Sequence, residues 1–329
     1  MYVSDYLETL LDGSRVRQLV RSECEALVER LPPRLHEHLQ PIASYIGGKC
    51  MGYPAVWFIQ AALGADDSAL VRALRRSPTA LFVSLSTSIA DDFLDRNESV
   101  HGAHLTFMYL LLLEPLTRRE RCSPSAARAL MEEVVDVIDL FVGPQSVGEE
   151  RAVHAASQLQ PTSARRGKRI GNFHAAIAAE VLEELGAPES SRKEIIEATR
   201  LFGEWCALLD DVIDIEQDIE ERIVDSFPIV AMINHFPEAR PVVFRRDIAG
   251  LGELLVAPEL SETLVERLIS DLDYIESVTP AASPVFGEKF SEIRERLQSG
   301  IGSLRRRAHE EAVERMCGPA AEPLDAAPA

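Results

Sequence analysis

The sequence predicts an all-α fold, in which the chain forms a single-domain helical bundle. Apolar residues recur every three or four positions through most of the 329 residues, for example over 126–142 and 173–186. The alternation of apolar and polar residues that is typical of half-buried strands is hard to find. Proline and glycine interrupt the pattern at intervals of helix length, which indicates about ten helices or more.

The predicted breaks between helices are short groups that contain proline or glycine. They fall at Pro32-Pro33, Gly47-Gly48, Pro78, Ser123-Pro124, Gly143-Pro144, Gly186 to Pro188, Phe227-Pro228, Phe236-Pro237 and Thr279-Pro280. No segment before Met316 has the composition of a flexible linker, so we expect one helical domain over residues 1–317. The Pro- and Ala-rich segment 318–329 has almost nothing to bury, and we expect it to be a disordered tail.

The composition restricts the classes of function and the compartment. A net charge of −19 argues against binding nucleic acid through a phosphate-neutralising surface, although a local basic cluster could still bind a small phosphorylated molecule. Five cysteines without a CxxC pair are expected to be free thiols in a reducing compartment. The acidic N-terminal segment does not fit a signal peptide, and the longest apolar run, over 105–113, is well short of the ~20 residues that span a bilayer. We therefore expect a cytoplasmic protein without a membrane span.

Two clusters of aspartates follow largely apolar stretches. The first, DDFLD, contains Asp91, Asp92 and Asp95, and the second, DDVIDIEQD, contains Asp210, Asp211, Asp214 and Asp218. On a helix, like charges four positions apart share a face and repel each other, so something must compensate. Oxygen-rich clusters of this kind suit Mg²⁺, which commonly bridges carboxylates to phosphate oxygens, whereas Ca²⁺ more naturally uses a glycine-containing loop. A single cluster would be read as solvated surface, but two in apolar surroundings indicate two metal-binding walls that face one cavity.

A metal-bound diphosphate also needs cationic donors, and the sequence offers two candidate groups. The basic segment, residues 165–169, lies beside an expected helix start and contains Arg165, Arg166, Lys168 and Arg169. Lys49 follows the flexible pair Gly47-Gly48. Taken alone, the basic segment reads as a solvated turn and the Gly-Gly-Lys sequence is a weak signal. Between Lys168 and Asp210 there is room for a helix and a turn, so antiparallel neighbours would bring both to one end of the bundle.

These motifs, in this order, resemble the trans-isoprenyl diphosphate synthases of the isoprenoid synthase superfamily. The resemblance covers roughly residues 40–230, and the paired motifs DDFLD and DDVID are its specific part. It implies an all-α bundle around a deep apolar cavity, and a homodimer. It also implies that about three Mg²⁺ ions bind a linear allylic diphosphate, which leaves as pyrophosphate and generates a carbocation in the cavity.

The resemblance assigns roles to particular residues. The implied metal ligands are Asp91, Asp92, Asp95, Asp210, Asp214 and Asp218, and Asp211 is implied as a further catalytic residue. The implied diphosphate-binding residues are Lys49, Arg165, Arg166, Lys168 and Arg169.

The sequence departs from the chain-elongating members of this family at the site of the second substrate, isopentenyl diphosphate. Gly52 stands where those enzymes usually carry an arginine after Gly-Gly-Lys, and Val100-His101-Gly102 stands where they carry Arg-Arg-Gly. Each missing guanidinium removes a bidentate phosphate donor. Ionisation without an acceptor substrate would let the cation react with its own double bonds, which is class I terpene cyclisation.

The second Asp cluster also approaches the metal motif of terpene synthases, with Asp214 where serine or threonine is usual. The Arg-Tyr pair near the C-terminus of many bacterial cyclases is missing, and Arg294 and the run 305–307 are weak substitutes.

Aromatic and small residues near the Asp clusters are candidates for the cavity wall. Phe82, Phe93, Phe202 and Trp205 offer π faces to a carbocation, although core packing is the alternative for each of them. Ser86 and Thr87 precede the first cluster, and small residues there leave the pocket deep in the elongating family. A substrate of geranylgeranyl size or longer is therefore expected.

Three hypotheses follow for the function. The leading one is a Mg²⁺-dependent class I terpene synthase on a prenyl-synthase-like scaffold. The second is a prenyltransferase, either an isoprenyl diphosphate synthase or an enzyme with another acceptor. The third is a non-catalytic partner subunit of a prenyl synthase, against which the two retained Asp clusters argue.

Overall fold

The computed structural model describes residues 11, 14–29, 33, 52–77, 159–213, 226–241, 258–280, 283 and 285–299. This part of the chain is 90% helical and contains no strand, which confirms the all-α prediction for the described residues. None of the helices in these ranges is long and apolar enough to cross a membrane. The predicted tail, 318–329, lies outside the described residues.

Eight α-helices account for most of the described ranges. They are α1 (Ser14–Glu29), α2 (Tyr53–Leu63), α3 (Asp67–Arg76), α4 (Leu159–Glu184), α5 (Glu189–Ile213), α6 (Phe227–His235), α7 (Pro258–Val278) and α8 (residues 285–299), with a short 3₁₀ turn at Pro237–Ala239. The two long helices α4 and α5 form the most extensive helix pair of this part, and α2, α3, α6 and α7 pack around them.

Local sequence explains where several of these helices end. Gly186 terminates α4 in a left-handed conformation with φ of 69°. The N–H of Ala187 donates to the carbonyl of Leu182 and that of Gly186 to the carbonyl of Glu183, which is the Schellman arrangement. Helix boundaries likewise confirm the breaks predicted at Phe227-Pro228, Phe236-Pro237 and Thr279-Pro280.

The basic segment, residues 165–169, is part of helix α4 and not a turn beside a helix start. Helix α4 already includes Leu159, so the sequence-based boundary was placed too late in the chain. Arginine and lysine are good helix formers, and the single Gly167 costs only about 1 kcal/mol in a helix interior. Pro161 lies in the first turn of the helix, where a missing N–H is tolerated.

The main core is built around aromatic rings from α2, α5 and α8. Phe202 on α5 stacks on Trp57 of α2, with ring centroids 5.7 Å apart, and on Trp205, at 5.4 Å. Phe290 of α8 lies at 6.3 Å from the same ring. A second apolar cluster joins α6 to the start of α7 through Met232, Leu260 and their neighbours. The first half of α7 therefore packs on α6, whereas Leu268, Leu272 and Ile275 further along the helix belong to the main core.

Glycines allow α4 and α5 to approach closely. A Cβ atom at Gly171 would lie 2.6 Å from the carbonyl oxygen of Arg200, and one at Gly203 would lie 2.7 Å from Nδ1 of His174. Both distances are shorter than a van der Waals contact, so hydrogen is the only side chain that fits at either position without movement.

We expect Gly171→Ala to lower the free energy of unfolding by about 1–3 kcal/mol, because the new methyl group meets backbone that cannot move cheaply. Gly167→Ala is the matched control, one turn earlier in α4, where a Cβ atom would have nothing within 4 Å. The control should stabilise by up to ~1 kcal/mol through helix propensity. Equilibrium unfolding in urea measures the free energy of unfolding of both variants. Equal effects of the two substitutions would contradict the close approach of α4 and α5 at Gly171.

Candidate functional site

The described residues include part of the predicted site. Asp91, Asp92, Asp95, Asp214, Asp218, Lys49, Phe82, Ser86, Thr87 and Phe93 lie outside them. Of Arg165, Arg166 and Arg169 the structure describes the helical backbone alone, whereas Asp210, Asp211, Lys168, Phe202 and Trp205 are described with their side chains.

The antiparallel pair α4–α5 brings the basic segment to the same end as Asp210 and Asp211, the described part of the second Asp cluster. The two helices are joined by the short turn 185–188, and their register is set where Gly171 faces Arg200 and Gly203 faces His174. About two turns further from the joining turn, this register places Asp210 and Asp211 at the level of residues 160–167, which overlaps the first part of the basic segment. Lys168 is exposed and lies about one helical turn from the level of Asp210. Lys168 and Asp210, which are 42 residues apart in the sequence, are therefore near each other in backbone level.

The adjacent aspartates at the end of α5 differ in their surroundings. Asp210 is half-buried, whereas Asp211 is only 5% exposed. The Oδ2 atom of Asp211 accepts the backbone N–H of Phe227, the first residue of α6, at 3.0 Å. Asp211 thus has a structural contact that the sequence motif did not indicate, and the catalytic role expected for it stays a prediction.

The carboxylate of Asp210 also acts on its neighbour Cys206, one turn earlier in α5. Burial, and then the negative charge of Asp210, raise the pKa of the Cys206 thiol well above its usual value. This cysteine is free, as expected from the sequence, and it is held in the thiol form.

Phe202 and Trp205, the two described candidates for the cavity wall, are both buried in the main core. Phe202 is surrounded by the rings of Trp57, Phe58, Trp205 and Phe290. The indole N–H of Trp205 donates to the carbonyl of Leu268 at 3.0 Å, which ties α5 to α7. Core packing accounts for these contacts, and a role in stabilising a carbocation stays a prediction.

Arg294, considered as a substitute for the C-terminal arginine of cyclases, is held in ion pairs. Its guanidinium contacts Asp273 at 2.7 Å and also Glu276, and this cluster links α8 to α7. The structure gives Arg294 a role in joining two helices.

Gly52 occupies the position where chain-elongating enzymes carry an arginine. It is buried at the N-cap of α2, directly before Tyr53 and Pro54. The N-terminus of α2 is therefore packed against protein at Gly52.

Sequence reasoning missed His174, which is enclosed between α4 and α5. Its Nδ1 atom lies 2.8 Å from the carbonyl of Ile170, so the ring donates its Nδ1 hydrogen there. The Nε2 atom is buried, and none of the described residues forms a hydrogen bond with it. Burial lowers the pKa of His174 to about 4, and the bond to Ile170 only partly opposes this effect. The sequence signal that could have indicated a buried histidine was the position of His174 within the largely apolar stretch 173–186.

A shallow groove lies between α1 and α3. Its lining includes Arg15, Arg72 and Arg75, of which Arg15 pairs with Asp67, and Arg75 forms a hydrogen-bonded ion pair with the buried Glu23. These ion pairs join α1 to α3. Seven of its nine lining residues are polar or charged, which differs from the deep apolar cavity that the family resemblance implies.

Within the described ranges, no group of three or more His, Cys, Asp or Glu side chains could hold a metal ion. Five of the seven predicted carboxylates lie outside those ranges. Comparison of the chain with protein-family models, with curated proteins and with solved structures found no match. The function is therefore inferred from the residues and their placement.

Proposed function

We propose that this protein is a Mg²⁺-dependent class I terpene synthase that ionises a linear allylic diphosphate of geranylgeranyl size or longer. The observation that carries the proposal is the pair of motifs DDFLD and DDVID, each at the end of an apolar stretch. The nearness in backbone level of the basic segment and Asp210 on the α4–α5 pair supports it, because a diphosphate complexed with a metal needs both cations and carboxylates.

Asp210 is the described residue that supports the proposed magnesium site. Asp210 offers a half-buried carboxylate at the end of α5, and oxygen ligands are those that Mg²⁺ prefers. The residues that would hold the ions are Asp91, Asp92, Asp95, Asp210, Asp214 and Asp218. When bound, Mg²⁺ would stabilise the charge on the leaving diphosphate as a Lewis acid.

In this proposal the basic segment, residues 165–169, and Lys49 bind the diphosphate oxygens. The allylic C–O bond breaks heterolytically, and pyrophosphate leaves with the electron pair. A double bond of the same substrate then attacks the carbocation, and loss of a proton or capture of water ends the reaction. The apolar wall of the cavity would have to exclude water until the ring closes.

A prenyltransferase is the second candidate, because Gly47-Gly48-Lys49 precedes the first Asp cluster in the order that elongating enzymes use. Gly52, Val100 and His101 count against it, since none of them supplies a guanidinium to a second diphosphate.

The test is to incubate the purified protein and Mg²⁺ with geranyl, farnesyl, geranylgeranyl and geranylfarnesyl diphosphates, each with and without isopentenyl diphosphate. A cyclic or rearranged hydrocarbon or alcohol from one allylic substrate alone is the expected result. Asp91→Ala should abolish it, and so should Asp210→Ala.

A longer linear diphosphate that forms only with isopentenyl diphosphate would identify a prenyltransferase instead. If no substrate is consumed, the non-catalytic subunit is favoured, and it gains support if Asp91→Ala and Asp210→Ala leave the association with a synthase unchanged.

A further inference from the structure

The groove between α1 and α3 lies between two ion pairs that connect these helices. Arg15 of α1 pairs with Asp67 of α3 at one end. Glu23 of α1 pairs with Arg75 of α3 at the other end. The second pair lies eight residues after the first on both helices, 23 less 15 and 75 less 67, so α1 and α3 run in the same direction. At a rise of about 1.5 Å per residue, the two pairs hold the helices together over about 12 Å.

Arg75 presents part of its guanidinium to this groove in a fixed orientation. Its Nε and Nη2 atoms donate to the buried carboxylate of Glu23 at 2.9–3.1 Å. A guanidinium has five N–H groups in a planar fork, and none of the described residues accepts a hydrogen bond from Nη1 of Arg75. The side chain is 60% exposed. Glu23 thus holds a cation that keeps donors for a ligand.

Arg72 lies one helical turn before Arg75 and adds a second cation to the same side of α3. Its side chain is exposed, and none of the described residues forms an ion pair or a hydrogen bond with it. Like charges at this spacing repel each other, so an anion that contacts both would relieve the repulsion. Gln18 and Ser22 line the groove from α1 and supply neutral donors. This part of the groove therefore offers an anion donors from both helices.

We infer that the α1–α3 groove binds a small molecule that carries a diphosphate group, through Arg72 and Arg75. A guanidinium binds phosphate oxygens in bidentate geometry, and two linked phosphates can contact two guanidinium groups that are one turn apart. Asp67, the carboxylate that lines the groove, is paired with Arg15 at the opposite end.

The inferred site differs in its residues from the site of the proposed function. None of the groove residues is among those predicted to bind diphosphate or metal, and binding through arginine needs no Mg²⁺. In a chain of net charge −19, a groove lined by three arginines and one aspartate is a local exception. The two proposals can therefore fail independently of each other.

The test is calorimetric titration of the purified full chain with inorganic pyrophosphate in the presence of EDTA, which removes Mg²⁺. Arg72→Gln removes one guanidinium, and Arg72→Lys keeps the charge without the planar fork. Arg21→Gln is the matched control, since Arg21 is an exposed arginine of α1 that pairs with Glu25 and does not line the groove. Malonate, a dicarboxylate, tests for a preference for phosphate oxygens. Hydrogen exchange with and without pyrophosphate locates the ligand.

We expect Arg72→Gln to weaken pyrophosphate binding by about 10-fold or more, because it removes charge-assisted hydrogen-bond donors. Arg72→Lys should weaken it less, and Arg21→Gln should bind as the wild type does. Malonate should bind more weakly than pyrophosphate. Pyrophosphate should slow exchange in α1 and α3 of the wild type and leave α7 unchanged.

Four results would overturn the inference. The wild type may bind no pyrophosphate in EDTA, or Arg72→Gln and Arg21→Gln may bind it equally, so that the groove plays no special part. Malonate may bind as tightly as pyrophosphate, which would remove the assignment to diphosphate. Slowed exchange over residues 159–169 in place of α1 and α3 would put the ligand at the basic segment. A lack of turnover of allylic diphosphates counts against the proposed function alone, because the titration needs no turnover.

Discussion

Phe202→Ala is expected to lower the free energy of unfolding by about 3–5 kcal/mol, the range for truncating a large buried aromatic side chain. Phe202 is fully buried, and its ring lies between those of Trp57 and Trp205 while also contacting Phe58. Alanine would leave a void bounded by rings from three helices, which cannot easily move to fill it. Equilibrium unfolding in guanidinium chloride, monitored by tryptophan fluorescence and circular dichroism, measures the loss.

Two control variants show whether Phe202 is core or cavity wall. Phe202→Leu keeps much of the volume and should cost less than Phe202→Ala. Tyr274→Ala, at a residue 58% exposed, should change stability by no more than about 0.5 kcal/mol. If Phe202→Ala costs under about 1 kcal/mol and alters the product of a wild-type activity instead, Phe202 lines a substrate cavity.

The helical character and several helix ends could be predicted because they depend on residues close in the sequence. Gly186 ends α4 since glycine adopts a left-handed conformation without the steric cost of a Cβ atom. Pro228 lies in the first turn of α6, where its missing N–H breaks no bond. Each of these effects acts over a few residues, so a local pattern suffices.

The stack of Trp57, Phe202 and Trp205 could not be predicted in the same way. Trp57 and Phe202 are 145 positions apart, 202 less 57, and no local pattern indicates which apolar residues meet. The sequence placed Phe202 and Trp205 near the second Asp cluster and offered two interpretations, cavity wall and core. Both side chains are buried in the described structure and pack against other core residues, which is consistent with the interpretation as core.

The different surroundings of Asp210 and Asp211 in the second Asp cluster could not be predicted from the sequence motif. Asp210 and Asp211 are identical in type and adjacent, so a motif treats them alike. Their difference arises because Asp211 lies next to the start of α6, which returns to the end of α5 after the connection 214–225. A capping contact across 16 residues depends on tertiary packing, which a motif does not encode.

His174 is expected to make the protein less stable as the pH falls from about 6.5 to about 4. The folded protein holds the ring neutral until its lowered pKa of about 4, whereas the unfolded chain takes up a proton near pH 6.5. Between these two values the unfolded state binds more protons, so the free energy of unfolding decreases as the pH falls. The full loss from this residue is about 3 kcal/mol, since each pKa unit corresponds to about 1.4 kcal/mol. Above pH 6.5 both states are neutral and the contribution is constant.

His174→Asn isolates this contribution, because asparagine does not titrate and keeps an N–H group that could reach the carbonyl of Ile170. The measured quantity is the change in free energy of unfolding between pH 7 and pH 4.5, which should be smaller in the variant by about 2–3 kcal/mol. Whether the variant is less stable at pH 7 does not matter, since only the dependence on pH is compared. His235→Asn, at an exposed histidine, is the control for the replacement of a histidine by asparagine. Parallel curves for the wild type and His174→Asn would mean that water or a counter-charge reaches the ring in the folded protein, so that His174 is not held neutral between α4 and α5.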